Sequence, residues 1–85
     1  MKVLMRLTPV GFPIKWQYLR DWDFTKEARG YVVLTPDADR AYRFDSVEVA
    51  MALWKAQSPI APLRPDGLPN RPLTAYHATF DTVEA

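Results

Sequence analysis

The sequence predicts an α+β fold: a small, mainly antiparallel sheet of about four strands packed against one main helix. Three observations carry this. Apolar and polar residues alternate over residues 2–8 and again over 15–24, the two-residue period of a half-buried strand. Val47, Ala50, Met51 and Trp54 recur at i, i+3, i+4 and i+7, which is one face of a helix. The chain has 85 residues, enough for a single domain over 1–85 with one modest core.

Each element follows in order. In the first strand Val3, Met5 and Leu7 fall on one face and Lys2, Arg6 and Thr8 on the other. Pro9 ends it, and Gly11 and Pro13 mark a loop. The second strand is expected over about 15–21. Trp16, Tyr18, Trp22 and Phe24 share one parity with Arg20, and Leu19 falls on the other. A polar connection ending at Gly30 leads to a third strand, Tyr31 to Thr35, which Pro36 stops, so the second and third strands form a hairpin with a long loop. Thr35-Pro36-Asp37 reads as the start of a short helix whose inward residues are Ala38, Ala41 and Phe44. The main helix is expected from an Asp45 cap, with Glu48 completing a capping box, to about Gln57, because Pro59 forbids much more. Trp54 is expected in the helix–sheet core, and Leu53 widens the apolar stripe. Residues 58–72 hold five of the eight prolines, and the sequence favours packing of this run against the sheet. A last strand is expected over Leu73 to Asp81, with Thr74, Tyr76, Ala78 and Phe80 on one face.

Composition narrows the function classes. Hydrophobic residues make up 48% and aromatic residues 13%, more than a disordered chain carries. There is no cysteine, hence no disulfide and no thiolate to bind a metal. Lys and Arg total 11 against 10 Asp and Glu, a net charge of +1, which is not the balance of a general nucleic-acid binder. Arg6 interrupts the apolar start before any export signal could form, and no apolar run has the length of a membrane span, so the expected location is the cytosol, with no membrane partner.

Two stretches resemble known sequences. Tyr18-Leu19-Arg20-Asp21, then Thr35-Pro36-Asp37 with Ala41, Arg43-Phe44-Asp45-Ser46 and Ala50, resemble a pattern of short uncharacterised phage and prophage accessory proteins. The stretch from Arg64-Pro65-Asp66-Gly67 through Leu68-Pro69-Asn70-Arg71 to Pro72-Leu73-Thr74-Ala75-Tyr76 is similar to the tail of a subset from proteobacterial prophages. The resemblance implies a phage-encoded protein in the bacterial host cytosol that binds a host or phage protein complex. By analogy, its role would be inhibition of host defence of the anti-CRISPR kind.

The residues that could carry chemistry point the same way. His77 is the only histidine, and with no Cys it has neither a nucleophile to activate nor co-ligands for a metal; it is expected at the solvent or the sheet rim. Asp21-x-Asp23 lacks the Gly and terminal Glu of a calcium loop, and Asp37 and Asp45 suit helix caps. The three glycines lie far apart, each at a turn, so no phosphate-cradling loop exists. Pro62-x-x-Pro65 and Pro69-x-x-Pro72 have the bare spacing of a proline-recognition ligand. The expectation is therefore a non-enzymatic binding protein without cofactor or metal. Its partner-binding candidates are Trp16, Tyr18, Arg20, Trp22, Arg64 and Arg71, since there are more aromatics than one short helix can cover and interface hot spots favour Trp, Tyr and Arg. The alternative is a nucleic-acid-binding module using Lys2, Arg6, Arg20, Arg64 and Arg71 beside the aromatics. A third reading is a homo-oligomer pairing through an edge strand.

Overall fold

The computed structural model describes residues 1–11, 15–27 and 29–84. Pro13, assigned above to the first loop, lies outside them. Four strands form one antiparallel sheet in the order β3-β2-β1-β4: β1 (Lys2–Pro9), β2 (Gln17–Asp23), β3 (Tyr31–Thr35) and β4 (Tyr76–Val83). One helix, α1 (Val47–Trp54), and a 3₁₀ turn at Pro72–Ala75 pack on one face. The α+β architecture matches the pattern in the sequence.

The alternation in β1 places Val3, Met5 and Leu7 in the core as expected. Leu4 and Thr8, on the opposite face, are buried as well, because β1 lies inside the sheet. Leu4 sits between Lys2 and Arg6, each held by a carboxylate: Lys2 pairs with Asp45, and Arg6 Nε lies 2.8 Å from Asp81 Oδ2. Long side chains held this way lay their aliphatic stems along the sheet.

The second strand differs from its expected form in a way that matters for function. Leu19 is opposite Leu34, but Asp21 is opposite Val33, so Arg20 is an extra residue in a β-bulge. One extra residue reverses the facing of everything after it. Tyr18 therefore points to the outer face with Arg6 and Thr35, while Trp22, opposite Val32, turns inward and Phe24 follows it into the core. Leu19, expected opposite the aromatics, is fully buried. The shared parity of Trp16, Tyr18, Arg20, Trp22 and Phe24 is thus broken at Arg20.

β1 and β2 pair directly only at Arg6↔Tyr18 and Leu7↔Gln17. Beyond that the strands splay, and residues 42–44 fill the gap. The Tyr42 amide donates to the Leu19 carbonyl at 2.9 Å, and Val3 and Phe44 exchange two bonds of 2.9 Å. This segment, not the proline run, covers Trp22: its ring stacks on Phe44 at 5.7 Å and meets Tyr42 edge-on at 4.8 Å. The expected short helix is a 3₁₀ turn over Ala38–Arg40, capped by Asp37, whose carboxylate accepts from the Asp39 amide at 2.9 Å. Ala41 and Phe44 are buried beyond its end.

The helix is shorter than its pattern and rotated. Ser46, not Asp45, is the cap, its Oγ accepting from the Val49 amide at 3.2 Å. That puts Val49 where a capping box needs Glu, and it frees Asp45 to pair with Lys2. Ala50 is the centre of the buried face, with Val47, Leu53 and Trp54 beside it, whereas Met51 is 37% exposed. The chain leaves the helix after Trp54 because Pro59 disfavours a helical Ser58 and clashes with a helical Lys55 carbonyl. Trp54 is half-buried, and its Nε1–H donates to the Tyr76 carbonyl at 3.3 Å.

The proline run folds on itself instead of lying flat on the sheet. Pro65 and Asp66 form the centre of a turn in which the Gly67 amide donates to the Arg64 carbonyl at 2.9 Å, and the Arg64 amide donates to the Leu68 carbonyl at 2.8 Å. At its base, buried Ser58 donates its amide to the Asn70 carbonyl at 2.7 Å and accepts at Oγ from the Ala61 amide at 3.1 Å. Ile60, Leu63 and Leu68 on this arm are each at least 50% exposed. The last strand begins later than expected, because Pro72 opens a 3₁₀ turn that drives Leu73 fully into the core and leaves Thr74 exposed.

Candidate binding cleft

A cleft of about 520 Å³ opens where the β2–β3 connection meets the segment leading into β4. The β2–β3 side contributes Arg29, Gly30 and Tyr31, and the other side Arg71, Tyr76 and, from the arm, Arg64. Gly30 makes the meeting possible. Its φ of +78° suits glycine, and a Cβ there would lie 2.7 Å from Pro72 Cβ and 2.9 Å from Phe24 Cδ1. Only a residue without a side chain lets the two walls approach this closely.

The cleft is basic. Among the described residues no carboxylate pairs with Arg29 or Arg71, and Glu27 is the only carboxylate lining the cleft. Arg64 is held by Asp66, with Nε 3.2 Å from Oδ1 and a second, shorter bond from Nη2 to Oδ2. The hydrogen bond from Arg64 is the main cause that holds the Asp66 carboxyl below the usual range, and the same contact raises Arg64. That contact fixes the fork of Arg64 at the rim. Tyr31 is 42% exposed, with Lys26 Nζ 4.3 Å from its ring centroid, a cation–π contact.

The six residues singled out in the sequence fall into three places. Arg64 and Arg71 come together in the cleft. Trp16 is 41% exposed just before β2, with Tyr18 half-buried on the outer face and Arg20 exposed at the bulge. Trp22 is half-buried and packs against the core through Phe44 and Tyr42. The basic face of the alternative reading is also dispersed: Lys2, Arg6 and Arg64 are each paired with an aspartate. Comparisons with protein-family models, with curated proteins and with solved structures return no match. Sequence reasoning missed Arg29, Tyr31 and Tyr76 as cleft residues. The one signal pointing to them was Gly30 beside Arg29, a glycine where backbone and side chain from afar could close in.

His77 is exposed on the outer face of β4, opposite Thr8. Among the described residues no group of three or more His, Asp or Glu side chains is placed to hold a metal ion, and no helix is long and apolar enough to cross a membrane.

Proposed function

We propose that this protein acts by binding, without catalysis, an acidic surface of a protein partner through the arginine cleft and the arm beside it. The observation that carries this is the pairing of two kinds of surface. Arg29 and Arg71 have no carboxylate partner among the described residues, and they share a cleft with exposed Tyr31. Next to it, the arm that supplies Arg64 exposes Ile60, Leu63 and Leu68. Arg and Tyr beside apolar side chains is the composition of protein–protein hot spots, and unpaired guanidiniums select carboxylates in a bidentate fork. The resemblance to phage accessory proteins supplies the context: a phage-encoded inhibitor in the bacterial cytosol, of the anti-CRISPR kind, directed at a host complex.

A second reading, single-stranded nucleic acid, is favoured by the stacking surface of Tyr31 under Lys26. One comparison separates the two. The wild-type chain and an Arg29→Glu/Arg71→Glu variant are used to capture partners from host lysate, with folding checked by circular dichroism. The same proteins are titrated with labelled single-stranded DNA at low and high salt. Loss of a captured protein with the variant supports the protein reading. DNA binding that falls steeply with salt and disappears in the variant supports the second. Equal capture by both proteins overturns the cleft as the interface.

A further inference from the structure

β4 is an open sheet edge, and the direction of each of its peptide groups follows from bonds on its neighbour. Val3 gives its amide to Phe44 and accepts the Phe44 amide in return, so its peptide groups face away from β4. Those of Lys2, Leu4, Arg6 and Thr8 therefore face β4, where they meet Val83, Asp81, Thr79 and His77. The amides and carbonyls of Tyr76, Ala78, Phe80 and Thr82 point outward. Both groups of Tyr76 are already used: the amide donates to Leu73, and the carbonyl accepts from Trp54. Among the described residues nothing bonds those of Ala78, Phe80 or Thr82.

Sheet edges are ordinarily blunted by Lys, Pro, a bulge or short length. The other edge, β3, has five residues and stops at Pro36. β4 has eight residues, no Lys, no Pro and an unbroken register against β1.

We propose that β4 pairs with β4 of a second copy, antiparallel about a two-fold axis at Phe80. The three open residues are symmetric about that point. Ala78 meets Thr82 of the second copy, Phe80 meets Phe80, and Thr82 meets Ala78, so every free amide and carbonyl on both edges is used. Neighbouring registers fail. An axis at Thr79 sets Thr82 against Tyr76, whose groups are spent, and an axis at Asp81 sets Ala78 against Glu84, whose carbonyl takes the Arg43 guanidinium at 3.3 Å. Side chains agree with the register. On the outer face Thr79 comes opposite Asp81 of the second copy in the close, non-hydrogen-bonded type of pair. Asp81 already has Arg6 beside it, so the approach of two acidic strands is compensated. On the core face the two half-buried Phe80 rings meet at the axis and cover each other. The product is one continuous sheet of eight strands.

The test is sedimentation equilibrium with residue-resolved amide exchange on the full chain, over a dilution series. The wild type is expected to reach twice 9.8 kDa. The amides of Ala78, Phe80 and Thr82 should lose protection on dilution as the dimer is lost, while those of Thr79 and Asp81, bonded within the chain, stay protected. Thr82→Pro removes an outward amide without touching the β1 ladder, so it should fold and weaken the dimer at least about tenfold. Three results each overturn the proposal: a chain that stays monomeric to about 1 mM, a dimer whose Ala78, Phe80 and Thr82 amides exchange as in the monomer, or a folded Thr82→Pro chain that dimerises like wild type.

Discussion

Replacing Gly30 with Ala should destabilise the fold through two separable effects, and Gly67 supplies the control. At φ +78° a residue with a Cβ sits in the left-handed region, which costs about 1–2 kcal/mol. The added carbon would also lie 2.7 Å from Pro72 Cβ and 2.9 Å from Phe24 Cδ1. Both neighbours are buried and neither is the end of a flexible side chain, so the strain of overpacking applies, about 1–3 kcal/mol. The sum for Gly30→Ala is about 2–5 kcal/mol. Gly67 has a similar φ of +84°, and a Cβ added there would meet nothing within 4 Å, so Gly67→Ala bears only the conformational cost. Urea titrations of both variants give the difference directly, provided the slope is unchanged. For a domain of this size each kcal/mol moves the melting temperature by about 4–8 °C. If Gly30→Ala melts where Gly67→Ala does, the close approach of the β2–β3 connection to Pro72 is wrong, and with it the wall of the cleft.

The bulge at Arg20 makes Trp22→Ala expensive, about 3 kcal/mol, because the ring packs on Phe44 and Tyr42, whereas Trp16→Ala should stay within about 0.5 kcal/mol; thermal melts of the two variants decide it. Trp54→Ala should also cost about 3 kcal/mol, the low end for a large aromatic that is only half-buried. Ser46→Ala should cost about 1 kcal/mol as loss of the helix cap, and Asp45→Ala less than that, the reverse of the order expected if Asp45 were the cap; denaturant midpoints rank them. Asp23, Asp45 and Asp66 are held below the usual carboxylate range, chiefly by hydrogen bonds from Thr25, Lys2 and Arg64 respectively. The folded chain therefore binds fewer protons than the unfolded one in acid, so the stability these groups give is present above about pH 4 and lost as pH falls through their depressed values. Asp66→Asn should flatten that acid dependence of the urea midpoint.

The sheet and its order of elements were legible because each depends on local pattern. Val3, Met5 and Leu7 alternate, Tyr31 to Thr35 is β-branched and aromatic, and Pro36 stops it. What was illegible depended on non-local contacts. Nothing in Tyr18-Leu19-Arg20-Asp21-Trp22 announces that Arg20 is an extra residue, because the bulge lies in the pairing with β3, a contact between separate segments of the chain. Strict alternation therefore put Trp22 on the face of Tyr18 and opposite Leu19, whereas in the structure Trp22 and Leu19 share the inner face. The helix cap was misplaced by one residue because Asp45 and Ser46 are both good caps, and Lys2, remote in sequence, claims Asp45. Arg64 and Arg71, both singled out in the sequence, lie in one cleft, but their company there was not visible. Arg29 and Tyr31 reach them only through the approach of Gly30 to Pro72, two residues far apart in the chain.

The segment from Asn70 to Tyr76 ties these features together. Its first residue closes the base of the arm, Arg71 lines the cleft, Pro72 abuts Gly30, Leu73 is anchored in the core, and Tyr76 begins β4. Because Leu73 is fully buried, the neighbouring Arg71 and Pro72 of the cleft wall are anchored to the core. Tyr76 begins β4 and lines the cleft, but its peptide groups are already bonded, so pairing over Ala78 to Thr82 leaves the cleft free. A paired sheet would then carry two clefts related by the two-fold axis, and a partner with repeated acidic sites would be held at both. Binding at the second cleft would be governed by effective concentration, and avidity would exceed the affinity of one cleft. The consequence separates the two surfaces by experiment. Thr82→Pro should weaken retention on a densely immobilised partner while leaving the affinity for a single soluble site unchanged, whereas Arg71→Glu should weaken both.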